Sequence, residues 1–145
     1  MDNGNIKTLN TILKGEHMAI HAFDDILGIL EDSSLKNEFY QMQRIHKENA
    51  MRLSDRIIQL GGHPQESQGF AGLMAETMLK IKTSLRHHPQ YIINTLAEAE
   101  DKGIQAAQEA AKGNLDQESA VIVEDILRRD RTNTARLREL SVRYQ

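Results

Sequence analysis

Apolar positions recur along most of this chain at alternating spacings of three and four, the pattern of helices that each bury one face. Four long segments carry it. The first runs from about Ile6 to Glu31 and the second from about Leu35 to Leu60. The third runs from about Pro89 to Lys112, and the fourth from a cap at Asn114 or Asp116 to about Val142. A shorter amphipathic segment, Phe70 to Leu85, places Phe70, Leu73, Met74, Met78, Ile81 and Leu85 on one face. Asp32-Ser33-Ser34 ends the first pattern and can cap the second helix. Gly61-Gly62-His63-Pro64 is a stop signal, Pro89 suits a first helical turn, and Gly113 suits the position after a helix end. No strand-like alternation, low-complexity tract or domain linker interrupts the pattern, so residues 1–145 read as one all-α domain.

The connections predict the topology. The joints between the first and second helices, and between the third and fourth, are short, so each pair should form an antiparallel hairpin. The stretch from Gly61 to His88 is long enough to return along the bundle and leave the second and third helices parallel.

The core stripe of every long helix is broken in the middle by polar residues. Glu16 breaks the first, His46 and Asn49 the second, Glu100 the third, and Asp130 and Asn133 the fourth. A buried unpaired carboxylate costs several kcal/mol, so these groups must satisfy one another or bind something. Glu16, Glu100 and Asp130 would repel one another at close range, and a central cation or bound protons would relieve that. The third helix continues its stripe with the small residues Gly103, Ala107 and Ala110, which leaves room for close helix approach or for a metal-bound water.

Composition narrows the chemistry. The chain has no cysteine, which excludes disulfides, zinc–thiolate sites, iron–sulfur clusters and thiol catalysis. A net charge of −3 argues against a nucleic-acid partner. No apolar run is long enough to span a bilayer, and the start Met1-Asp2-Asn3-Gly4-Asn5 has no signal-peptide character. The cytoplasm is the expected compartment, with no membrane partner. The arginines of the fourth helix fall into the i, i+4 pairs Glu124–Arg128, Asp125–Arg129 and Glu139–Arg143, which suits a solvated charged face.

The residues that interrupt the stripe carry a resemblance. Leu13-Lys14-Gly15-Glu16-His17-Met18-Ala19-Ile20-His21-Ala22-Phe23 resembles the helix that bears the first ligand glutamate in bacterioferritins and rubrerythrins. Glu48-Asn49-Ala50-Met51-Arg52-Leu53 resembles their Glu-His-Ala-x-x-Leu segment, and Asp130 to Leu137 resembles their fourth helix. The Gly-Gly-His-Pro turn and the segment after it look closer still to an uncharacterised ferritin-like family of bacterial, often stress-associated proteins. The resemblance implies a ferritin-like, left-handed four-helix bundle whose long crossover contains an extra short helix. It also implies a di-iron-type site. Glu16 and Glu100 match the family's single glutamates, while its two Glu-x-x-His motifs become His46-x-x-Asn49 and Asp130-x-x-Asn133.

The implied metal set is therefore Glu16, His46, Glu100 and Asp130, with Asn49 and Asn133, holding iron or another divalent ion in a depleted site. Active, it would be a di-iron oxidoreductase of ferroxidase type, in stress or iron and redox metabolism. Metal-free, the same cluster would be a polar network inside a scaffold that acts through a protein partner. A histidine phosphotransfer bundle is a third reading, and it requires an exposed His46 beside Lys47. A homodimer is the expected assembly.

Several residues outside the cluster invite sharper readings. His17 and His21 have the i, i+4 spacing that lets two imidazoles share a metal, but they fall off the core stripe and read as surface histidines. His63, His87 and His88 read as turn residues. Met18, Met42, Met51, Met74 and Met78 read as core filling.

Overall fold

The computed structural model describes residues 3–65 and 88–145. Four helices make up the described chain: α1 (Asn3–Leu27), α2 (Ser33–Gln59), α3 (Pro89–Ala110) and α4 (Gln117–Arg143). The expected short helix from Phe70 to Leu85 lies outside the described residues. No helix among those described is long and apolar enough to cross a membrane.

The helix ends follow local chemistry. Asp32 caps α2 by accepting from the Leu35 amide at 2.9 Å. Of the two candidate caps for α4, Asp116 is used, and it accepts from the Ser119 amide at 2.7 Å. Gly61 and Gly113, which follow α2 and α3, take the positive φ values of 87° and 86° that favour glycine. Helix α1 ends at Leu27, short of the expected Glu31, because the chain tightens at Gly28 and Ile29, whose amide bonds the Ile26 carbonyl.

Helix α1 packs chiefly on α2, and α3 on α4; α1 also meets α3, and α2 meets α4. Among the described residues the core falls into two apolar clusters. One joins Phe23 and Ile26 of α1 to Leu35 and Phe39 of α2, Ile93 and Leu96 of α3, and Leu137 and Leu140 of α4. The other joins Leu9 and Leu13 to Leu53 and Ile57, Ile104, Val123 and Ile126. The starts of α2 and α3 therefore lie at one end of the bundle, with the ends of α1 and α4. Helices α2 and α3 run parallel, as the long connection allows.

The expected stripe needs correction on α3. Gly103 is exposed, and Ile104 takes the buried position instead. After Glu100 the core face advances by four residues rather than three. Met51, expected in the core, is 66% exposed.

Near the end of α2, Arg56 is buried and ties the helices together. Its Nη2 donates to Asp116 at 2.9 Å, its Nε to the Ser119 hydroxyl at 3.0 Å, and Asn5 of α1 donates to Asp116 at 2.7 Å. Asp116 thus caps α4 and also pairs with a buried guanidinium, whereas the Asp32 carboxylate accepts from the Leu35 amide and the Tyr144 hydroxyl. Replacing Asp32 with Ala should cost about 1 kcal/mol, as loss of a helix cap does. Replacing Asp116 with Ala should cost roughly twice that, because it also takes one of two carboxylate partners from the buried arginine, leaving Glu118. Urea midpoints of the two variants test the order, and equal costs would remove the second role.

Candidate metal centre

All six polar residues that interrupt the stripe are buried, and they lie between the two apolar clusters. The four helices meet at one depth because each carries its interruption near its middle. His46 is the hub. Its Nδ1 lies 2.7 Å from Glu16 Oε2 and 3.4 Å from Asp130 Oδ1. Its Nε2 lies 3.0 and 3.1 Å from the two oxygens of Glu100. The Phe23 ring covers the imidazole, with centroids 5.8 Å apart.

Asn49 sits one turn further along α2 and faces the same carboxylates. Its Nδ2 donates to Glu16 Oε1 at 2.8 Å and to Asp130 Oδ1 at 3.0 Å. Its carbonyl oxygen is turned away and accepts from Arg129 at 3.0 Å. Arg129 also pairs with Glu48 near the surface. The guanidinium therefore orients the amide so that both its N–H groups serve carboxylates. Asn133 is buried beside the cluster, with its Nδ2 3.4 Å from the Met42 carbonyl.

Burial favours a neutral His46, but the carboxylates of Glu100 and Glu16 outweigh it and hold the imidazole well above the ordinary histidine range. Burial, and then Glu16, pushes Asp130 up to about 9 against the opposing pull of His46. With no ion present, an imidazolium and a protonated aspartate reduce the cluster's three negative charges to a net charge of about −1.

The donor set fits a divalent ion. Glu16, His46 and Asp130 each offer one ligand atom, and these atoms all lie within 4.8 Å of one another. Donors held about 2.1 Å from one ion lie roughly 3 Å apart along the edges of its coordination polyhedron. The Glu16–His46 and His46–Asp130 separations of 2.7 and 3.4 Å bracket that value. Glu100 approaches the opposite ring nitrogen, the place of the carboxylate that orients a metal-bound histidine. Asn49 presents N–H groups rather than an oxygen toward the cluster.

A phosphotransfer role for His46 is overturned, because the ring is buried and both nitrogens are engaged. Arg128 and Arg129 reach other carboxylates than their expected i, i+4 partners. Arg128 pairs with Asp125 three residues away, Arg136 with Glu38 and Glu139, Arg138 with Asp101, and Arg129 with Glu48. Long side chains at the helix seams find carboxylates on the adjoining helix as well as on their own. His17 is half-buried, and burial and then the neighbouring His21 lower its pKa; His21, His63 and His88 are exposed, and His87 lies outside the described residues.

Two residues beside the cluster escaped the sequence reading. The sequence pattern places Arg129 among the surface charges and Glu48 only within a motif. The available signal was position: Arg129 adjoins Asp130 on the edge of α4 that faces α2.

The fold and site define an all-α four-helix bundle with a buried Glu/His/Asp group able to hold a metal, an architecture compatible with a ferritin-like fold. Residues 5–113 match the family described as a domain of unknown function, DUF2383, and the chain belongs to that family. The matched segment includes Glu16, His46, Asn49 and Glu100 and stops before α4, which supplies Asp130. No curated protein and no solved structure matches the chain.

The proton inventory fixes a pH dependence for the metal-free protein. His46 binds its proton more tightly folded than unfolded, so its contribution is complete below about pH 6.5 and lost as pH rises through the folded value. Asp130 also holds its proton more tightly when folded, so its contribution declines as pH rises from about 4 to about 9. Both groups act in one direction. Stability in the presence of chelator should fall from mildly acidic pH toward pH 9, and combining His46→Gln with Asp130→Asn should flatten the slope. Urea midpoints across this window measure it, and a wild-type profile that rises would contradict the proton assignment.

Proposed function

We propose that the protein is a metal-binding, ferritin-like bundle that holds one divalent ion through Glu16, Asp130 and His46 Nδ1. The observation that carries this reading is the convergence of the three donor atoms, with Glu100 on the far nitrogen of the same imidazole. The ferritin-like part rests on the parallel run of α2 and α3 between two antiparallel hairpins, together with the sequence resemblance. Iron is the first candidate ion, in stress or redox metabolism, with a cytoplasmic homodimer as the working form.

A redox-active ion bound there would supply electron exchange with oxygen or peroxide. The chain's own contribution is to bind and to orient. Glu16 and Asp130 provide anionic oxygens, Glu100 fixes the imidazole, and the flanking apolar clusters exclude water. Asn49 and Asn133 stand where the ferritin-like motifs carry histidines, which favours a single ion over a pair.

A second reading has its own support. Asn49 donates to two carboxylates at once, and His46 bridges two more contacts, so the cluster is well satisfied with protons alone. Metal content separates the two. Protein purified without an affinity tag or chelator, or loaded anaerobically with Fe(II), should hold about one ion per chain by elemental analysis. Glu16→Gln and Asp130→Asn should abolish binding, while Glu100→Gln should weaken it by roughly 10- to 100-fold, as loss of an orienting partner does. A chain that takes up no ion after Fe(II), Mn(II) and Zn(II) loading would leave the metal-free scaffold.

A further inference from the structure

A pair of histidines on α1 lies outside the buried cluster. His17 and His21 are four residues apart on one continuous helix, so their side chains share a face one turn apart. His21 is exposed and His17 is half-buried. The His17 ring lies beside the Gln65 backbone, where the chain leaving α2 crosses α1. Asn10 secures the same crossing, since its Oδ1 accepts from the Gln65 amide at 2.8 Å and its Nδ2 donates to the His63 carbonyl at 3.2 Å.

We propose that His17 and His21 form a second divalent-metal site, on the surface of α1, which takes a transition ion such as Cu²⁺, Ni²⁺ or Zn²⁺ through two imidazole nitrogens. Imidazole suits these ions, and a rigid helix presents both rings without further ordering. Water completes the coordination, so the site is open and exchanges its ion readily. It differs from the buried cluster in donor chemistry: two imidazoles here, against one imidazole and carboxylates there. The proposal does not depend on whether the buried cluster holds metal.

That difference supplies the test. The full chain is titrated with Cu²⁺ to two equivalents and followed by pulsed EPR, which counts coordinated imidazole nitrogens. The wild type should show a species with two equatorial imidazoles, and His46→Gln should keep it. His17→Ala and His21→Ala should each abolish it, and the affinity for that copper should fall by more than the roughly tenfold that loss of an outer partner costs. His21 is exposed, so its replacement leaves the core untouched. A wild-type spectrum with at most one imidazole per copper would overturn the proposal, as would a two-imidazole species that survives in His21→Ala.

Discussion

Three carboxylates and one imidazole share a layer of the bundle from which apolar side chains exclude water. Like charges a few ångströms apart in such a place cannot all persist, because neither solvent nor distance screens them. Something positive has to enter the layer. In the structure as it stands, the positive charge is a proton on His46, and a further proton on Asp130 removes one of the negative charges. A divalent ion at the convergence of Glu16, His46 and Asp130 would do the same work. The rest of the molecule can be understood as the apparatus that holds these groups at one depth.

That apparatus is sensitive to register. A helix that slipped by one turn would carry its polar residue about 5.4 Å along the axis and out of hydrogen-bond reach. Asp32 fixes where α2 begins and Asp116 fixes where α4 begins. The Arg56–Asp116–Asn5 cluster then ties α2, α4 and α1 together near the opposite end of the bundle from the α2 start. Apolar clusters on either side of the polar layer provide most of the burial, but an apolar face alone tolerates sliding. The hydrogen bonds of Asn49 to Glu16 and Asp130, on two other helices, do not. Arg129 reaches in from the seam between α2 and α4 and sets the orientation of that amide.

Much of this was legible in the sequence, and the reason is energetic. A polar residue on a core stripe is costly enough that Glu16, His46, Asn49, Glu100, Asp130 and Asn133 mark their own layer. Helix existence and the hairpin pairing followed from periodicity and from short connections. What the sequence concealed depended on choices that a one-dimensional pattern leaves open. After Glu100 the core face could advance by three residues to Gly103 or by four to Ile104, and both fit the repeat. Arg129 and Arg136 have side chains long enough to cross a helix seam, so counting i, i+4 neighbours missed Glu48 and Glu38. The amide of Asn49 could have faced the cluster with its oxygen or its nitrogen, and only the arginine behind it decides. The family match, by contrast, names no chemistry, so the functional reading rests on the geometry of the layer and on the ferritin-like resemblance.

The central claim is that protons and a metal ion are alternative occupants of one layer and lower its negative charge to the same extent. The direct measurement is proton release during metal binding, by titrating Zn²⁺ into weakly buffered, metal-free protein near pH 7 while following pH and bound ion together. If the ion displaces the protons on His46 and Asp130, about two protons should leave for each ion bound. The release should disappear in Asp130→Asn, which cannot supply the anionic oxygen. Ion binding to the wild type with no proton release, or release that is unchanged in Asp130→Asn, would contradict the account.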